Sequence, residues 1–571
     1  MKVDKKKLES DGKERTILLV LLPFWTTLIP PLGISCLKSY LQKHGFIVKA
    51  VDANIVEAFR EIYDNYFEVL KDIVPASYRG NFYNTGHDVL RHHLMVHLNL
   101  EDKKQYFDPV KSIVFNYFFQ EADAEALLVL DQLVGKFFLR LEEYICGLIR
   151  AEKPSVLGLS VYNGNLPASL FGFKTVKQKY PHITTVMGGG VFADQLAGGT
   201  PNFQLFLKKT PYIDKIIIGE GEQLFLKWLI GELDNSRRVY SLKDVETEPL
   251  DLSSIGVPDF SDFDLQHYPS IAAYGSRSCP FRCAFCSETV QWGSYRKKSA
   301  GQIVEDLGKL RQRYGFQLFL MGDSLLNPII DALAAGLLRE KWAVYWDGYL
   351  RVGEAACCLE NALAWRRGGF YRARLGVESG SQQVLDSMNK KISIRQIKET
   401  IRSLASVGIK TTTYWVIGFP GETEDDFQQT LELLGVLKDD IYEADCNPFN
   451  FFLGGQVNSA GWANRAFPLF PEWAEDLLIA QPWTLDGEPN RREVYRRICR
   501  FMSHSKRLGI PNPYSLQDIS RADERWKKLH KNSVPSLLDF QGKDVYIDEC
   551  KGIQQLLIAP KLMGHDGDWG F

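Results

Sequence analysis

The chain lacks a dominant charge. Its 68 Lys and Arg stand against 70 Asp and Glu over 571 residues, a formal net charge of −2. Bulk electrostatic attraction to a nucleic-acid polymer or an anionic membrane is therefore not its organising feature. No uninterrupted apolar run reaches the ~20 residues that a spanning helix needs. The N-terminal MKVDKKKLESDGKER is charged where a secretory signal would be apolar. The expected setting is the cytoplasm, a reducing compartment where clustered cysteines read as ligands rather than disulfides. No GxGxxG follows the first strand-like run, which weakens a dinucleotide reading. Clear internal repeats and long low-complexity tracts are also missing.

What is present suits a globular chain with real cores: 45% hydrophobic and 24% charged residues, over a length expected to hold two or three domains. TILLVLL (16–22), a helix-like stretch ending at Gly45, and FIVKAVD (46–52) read as strand, helix, strand. That order implies a parallel sheet with a right-handed crossover. Residues 55–150 read as a helical insertion, after which strands are predicted at 155–161, 183–190 and 214–222. Residues 1–235 thus form an α/β, doubly wound (Rossmann-like) domain, and 236–270 a linker wrapping the surface. Strands from Ile271 onward, at 316–323, 343–351, 371–379 and 409–421, predict a partial barrel over 271–440. Its functional residues should lie at the C-terminal strand ends. Residues 441–571 read as a mainly helical C-terminal domain capping the substrate, with Phe449, Phe451, Phe452, Trp462, Trp473 and Trp483 as a candidate lid.

The chemistry concentrates in CPFRCAFC, which places Cys279, Cys283 and Cys286 in CxxxCxxC spacing directly after a strand-like run. Thiolates suit iron–sulfur clusters and zinc. A structural zinc site wants four protein ligands, and no fourth Cys or His is near. Three thiolates on a cubane cluster leave one iron open. His93 and His97 share one helix face, but no third ligand accompanies them. Cys357, Cys358 and Cys446 read as small buried hydrophobes.

With Phe285 before its last cysteine, the loop resembles the signature of the radical S-adenosylmethionine (radical SAM) family. The resemblance implies a [4Fe-4S] cluster on the three cysteines, its open iron chelating S-adenosylmethionine. It also implies cosubstrate contacts from Phe285, Asp323, Ser324, Arg351, Glu378, Ser381 and Gly418. The Met321-Gly322-Asp323-Ser324 stretch departs from the commoner Gly-Gly-Glu pattern. The first domain resembles that of the cobalamin-dependent branch, through PPLG, GLSV, GGG and IIIGEGE. This implies that Ser160, Gly188, Gly189 and Gly190 line the nucleotide tail of cobalamin. Gly219 and Glu220 would lie nearby, and the Tyr162–Asn163 loop would face the cobalt. The DxHxxG motif of the wider cobalamin-binding fold is missing, so an imidazole lower ligand is not expected.

The implied reaction is methyl transfer from methylcobalamin to an unactivated carbon of a small molecule or peptide, as in natural-product biosynthesis. A flavodoxin or ferredoxin would supply electrons to a monomer. The alternatives are a non-methylating rearrangement, ring contraction or cyclisation, and a non-catalytic cobalamin or iron–sulfur sensor. An RNA methylthiotransferase would want more cluster cysteines in the first domain than Cys36 and Cys146.

Overall fold

A computed structural model describes residues 16–100, 106–244, 250–340, 342–512 and 516–530. The charged N-terminal segment and the last part of the expected C-terminal domain (531–571) lie outside the described residues.

The first sheet holds β1 (Thr16–Leu21), β2 (Ile47–Asp52), β3 (Val156–Ser160), β4 (Thr184–Gly188), β5 (Lys215–Ile218) and β6 (Val239–Ser241). All pairs are parallel, in the order β2-β1-β3-β4-β5-β6. The order reverses beside β1, and doubly wound sheets hold ligands at the strand C-termini by such a reversal. The three-residue strand β6 falls inside the segment read as linker; so short an edge strand carries no periodicity of its own.

Side chains alternate across a strand, and β1 uses both faces. Ile17, Leu19 and Leu21 enter the core shared with the second domain, whereas Leu18, Val20 and Leu22 enter the core shared with the insertion. The insertion consists of helices Glu57–Ile73, Phe82–Asn99, Phe107–Phe118 and Ala124–Glu152. Its histidines are structural. His93 is fully buried between the hydroxyls of Tyr66 (3.0 Å) and Tyr106 (2.6 Å). His97 reaches Tyr106 and Asp131.

The second sheet contains β7 (Ile271–Ala273). A small ribbon of β8 (Ser276–Arg277) and β9 (Arg296–Lys297) follows β7 in the chain. The sheet continues with β10 (Leu318–Met321), β11 (Tyr345–Leu350), β12 (Phe370–Glu378), β13 (Lys410–Ile417) and β14 (Glu443–Pro448). These six strands are parallel in the order β7-β10-β11-β12-β13-β14, a partial (β/α)6 barrel. Its sixth strand starts just past the boundary at 440 that the sequence suggested. Beyond it, an antiparallel hairpin of β15 (Ala466–Pro468) and β16 (Trp483–Leu485) precedes helices Arg491–Arg507 and Leu516–Leu529.

Two joints fix the domains to each other. The linker lies along the first sheet, where Asp262 accepts from Ala50 N (2.8 Å) and pairs with Lys38 (2.6 Å). Tyr268 donates to Asp52 (2.7 Å). At the other joint, Arg277 of β8 is buried with Glu222 (2.6 Å) and Glu220 (3.4 Å), and Arg296 of β9 also pairs with Glu220. Arg277 lies two residues before Cys279, so this joint sets where the cysteine loop starts.

Candidate active site

Residues 278–287 leave β8 as an irregular loop whose backbone is held from two sides. Ala284 N donates to Met388 O (2.9 Å), while Val457 N and Asn458 N donate to Cys286 O (3.1 Å) and Ala284 O (3.0 Å). The candidate lid is therefore part of the loop's support. Phe451 and Trp462 pack in one apolar cluster with Cys283, Phe285, Met388 and Phe419.

The three cysteines lie together at the mouth of the second sheet. Burial raises the thiols of Cys279 and Cys286 above their ordinary value, and the neighbouring Cys283 thiolate adds to both shifts. A cation is what such a set calls for, because thiolates form readily only against positive charge. Among the described residues no three His, Cys, Asp or Glu side chains are gathered to hold a single metal ion. A four-iron cluster binds each thiolate at a different iron, so it needs three thiols on one loop rather than convergence on a point. The donor set fits the cluster.

Arg351, at the end of β11, sits beside Cys283, with Nη1 3.7 Å from its Sγ and the guanidinium 3.8 Å over the Phe281 ring. Its Nη2 is buried without a partner, as is Oε1 of Glu288. Both charges act on Cys279, Arg351 favouring its thiolate and Glu288 opposing it. An α-amino acid, with one carboxylate and one ammonium, supplies the acceptor and the donor that these atoms lack. The site thus fits the methionyl end of S-adenosylmethionine. Burial pushes Glu288 up to about 7, and its other oxygen accepts from the Ser324 hydroxyl. Glu288 was not singled out from sequence, although it stands two residues after Cys286.

The other expected residues divide. Asp323 is fully buried and accepts from Gly275 N (2.9 Å) and Ser276 Oγ (2.5 Å), which anchors the strand entering the loop. Burial raises its carboxyl to about 6. Ser324, not Asp323, reaches Glu288. Glu378, at φ +68° on the end of β12, pairs with Lys390. Ser381 caps the Gln382–Ser387 helix and donates to Asp426 (2.5 Å). Gly418 takes φ +81°, its N–H donating to Glu422 (2.8 Å), and a Cβ there would strike Val494 at 2.3 Å.

At the C-terminal edge of the first sheet lies a slot of about 60 Å³. Ser160, Gly188, Gly189 and Gly219 line it, with Leu37 and Phe225 as apolar walls. Gly189, at φ +117°, crosses the Val161 backbone so closely that a Cβ would come within 2.4 Å of its oxygen. Gly190 begins a short helical turn beside the slot, and Glu220 faces Arg277 and Arg296 of the barrel instead. Tyr162 stacks on Trp25 (centroids 4.4 Å apart), and Asn163 donates to Asp194 (2.5 Å) while its Oδ1 is buried without a partner. A glycine floor under apolar walls fits the flat aromatic base of a cobalamin tail.

Residues 274–434 match the Radical SAM superfamily model. An anaerobic magnesium-protoporphyrin IX monomethyl ester cyclase from Rubrivivax gelatinosus is 26% identical over 321 residues, covering 51% of this chain and 56% of that protein. An uncharacterized methyltransferase from Pyrococcus horikoshii is 26% identical over 311 residues, 50% of this chain and 65% of that one. The chain spans less than two thirds of the length of either relative. Among solved structures, the radical S-adenosylmethionine methyltransferase TsrM from Kitasatospora setae, with tryptophan substrate and a SAM analog bound, superposes with a TM-score of 0.54 at 15% identity. That match covers 79% of this chain and 76% of TsrM. Among the described residues no helix is long and apolar enough to cross a membrane. With the cysteine loop at the mouth of a parallel six-stranded barrel and the family model matched across it, residues 274–434 form a radical SAM domain, in a fold shared with TsrM.

Proposed function

We propose that this protein is a cobalamin-dependent radical SAM methyltransferase that alkylates an unactivated carbon of a small molecule or peptide. The observation that carries this is the glycine-floored slot at the C-terminal edge of the first sheet, joined through Glu220 and Glu222 to the strand that launches the cysteine loop. When bound, the cluster with S-adenosylmethionine supplies radical initiation, and cobalamin supplies a methyl carrier.

The chain's own residues do the positioning. Cys279, Cys283 and Cys286 would hold the cluster. Arg351 and Glu288, the latter oriented by Ser324, would hold the two ends of the methionyl group. Gly418, Phe285, Glu378 and Ser381 shape the surrounding wall, although Glu378 and Ser381 act through Lys390 and Asp426. Ser160, Gly188, Gly189 and Gly219 would take the cobalamin tail, and the Tyr162–Asn163 loop would be the chain's contribution on the cobalt side. The chain would act as a monomer served by a flavodoxin- or ferredoxin-type electron donor in the cytoplasm.

The cyclase among the relatives favours a second reading, in which the same cofactors drive ring formation without methylation. Incubation with methyl-deuterated S-adenosylmethionine separates the two. Deuterium in the product supports methylation. Formation of 5′-deoxyadenosine with unlabelled product and no S-adenosylhomocysteine rejects it.

A further inference from the structure

A cavity of about 150 Å³ at the barrel mouth is built from separate stretches of the insertion, the first domain, the barrel and the C-terminal region. The insertion helix Phe82–Asn99 contributes Thr85, Asp88 and Arg91. The barrel contributes Gly418 and Pro420 after β13, and the C-terminal region adds the β16 hairpin and the start of the Arg491–Arg507 helix. A cavity of this size has room for about one benzene-sized ring. Its walls suit such a group, with Phe449, Phe451, Tyr117 and Trp483 presenting aromatic surface. Phe451 also packs in the cluster of Cys283, so the cavity reaches toward the cysteine loop through one layer of rings.

The charge of the lining is unbalanced. Arg91, Arg465 and Arg491 face Asp88 and Glu488. Arg465 and Glu488 are exposed at the rim, where Arg465 donates to Asp486 O and Glu488 accepts from Asn490 N. Inside, Asp88 pairs with Arg91 at 3.1 Å. Arg91 is more than nine-tenths buried, and its Nε has no partner. Arg491 lies beside the Tyr117 ring (5.7 Å), and burial pulls its guanidinium below the ordinary value despite Asp88 and Tyr117. A third donor, Nε1 of Trp483, is buried without an acceptor. Asp88 is thus the carboxylate facing both Arg91, which also meets His92 (3.4 Å) and Tyr117, and the half-buried Arg491, while Nε of Arg91 and Nε1 of Trp483 remain spare. Buried donors left unmatched are costly, and an anion that accepts from them restores the balance.

We propose that this cavity is the substrate pocket and that it selects a small molecule carrying an acidic head, carboxylate or phosphate, next to one ring-sized apolar group. The proposal rests on the radical SAM methyltransferase reading for the reaction; the recognition chemistry stands on the cavity alone. It also gives the insertion and the C-terminal hairpin a task, since each contributes a wall that the barrel does not have.

The test is calorimetric titration of anaerobically purified, cluster-loaded protein with 3-phenylpropionate, phenyl phosphate and the uncharged 3-phenylpropanamide. At least one acidic probe should bind about tenfold or more tightly than the amide, the tighter acid identifying the head group. Arg491→Gln and Arg91→Gln should each remove that preference while amide binding and cluster absorbance stay unchanged. Should Arg91→Gln fail to fold, Arg491→Gln with Arg491→Lys decides the matter, because lysine keeps the charge and should restore part of the acid preference. Equal affinity for acid and amide, acid binding that survives Arg491→Gln, or no binding of any probe at about 10 mM overturns the proposal. Acid binding without methyl transfer would leave the pocket standing and count against the reaction, whereas methyl transfer without acid preference would overturn the pocket alone.

Discussion

The joint between Glu222 and Arg277 offers a sharp test of how the two domains are fixed together. The Arg277 side chain is inaccessible to solvent and lies 2.6 Å from Glu222, 3.4 Å from Glu220, and 5.5 Å over the Trp292 ring. Removing one partner of a buried pair strands the other charge, at a cost of about 3–5 kcal/mol. Arg277→Met leaves Glu222 without its cation, whereas Glu220 keeps Arg296, so a loss near the middle of that range is expected. Glu222→Gln leaves Arg277 with Glu220 and should cost about 3 kcal/mol, at the low end. The double variant should recover about 2 kcal/mol relative to the sum of the singles, since no charge is then stranded. Urea unfolding followed by tryptophan fluorescence and circular dichroism reads these losses, each transition being fitted separately because a two-domain chain need not unfold in one step. Because Arg277 lies two residues before Cys279, both singles should also lower iron bound per chain after reconstitution. Singles that cost less than about 1 kcal/mol, the range of exposed pairs, with additive effects and full iron loading, would refute the reasoning.

Cys283→Ala should abolish both the cluster absorbance and 5′-deoxyadenosine formation; retention of either would dismiss the three-thiol assignment. Gly189→Ala puts a Cβ against the Val161 backbone in a positive-φ conformation. It should prevent cobalamin from remaining bound through gel filtration while iron loading persists, and normal retention would exclude the slot. His93 predicts an acid-side loss of stability. Burial lowers it from 6.5 to about 3, so its contribution is complete above 6.5 and is lost as pH falls toward 3. At pH 5 the loss is about 2 kcal/mol, and His93→Gln should flatten the urea midpoint between pH 7.5 and 5 by that amount. An unchanged slope would show that His93 does not govern it.

Much of this molecule was legible from local pattern. The apolar runs of β1, β3 and β5 announce buried parallel strands because both faces of such strands are covered; β1 and β3 end within a residue of their expected positions, whereas β5 stops at Ile218 and the rest of the run to 222 enters the Gly221–Leu229 helix. The cysteine loop was legible because three cysteines within eight residues need no tertiary structure to be brought together. Gly189 and Gly418 were legible as glycine turns at strand ends, and both take positive φ. Less was readable where a side chain chooses between partners distant in sequence. Asp323 and Ser324 are neighbours, yet one turns back to Gly275 and Ser276 while the other meets Glu288, and only the packing of β10 against β7 decides which. Glu220 sits in a ligand-edge motif by sequence, but Arg277 and Arg296 arrive from more than fifty residues away and take it into the domain joint.

By itself, then, the sequence determined the parallel architecture and the three-cysteine loop, because both rest on short-range spacing: apolar periodicity for the sheets and cysteine interval for the loop. Tertiary structure alone decided the substrate cavity, whose guanidinium groups come from Arg91 and Arg491, four hundred residues apart. It also decided which charges are neutralised by neighbours and which still lack an acceptor. Electrostatic pairing and desolvation depend on distance in space, and a linear pattern does not encode that distance until the chain has folded.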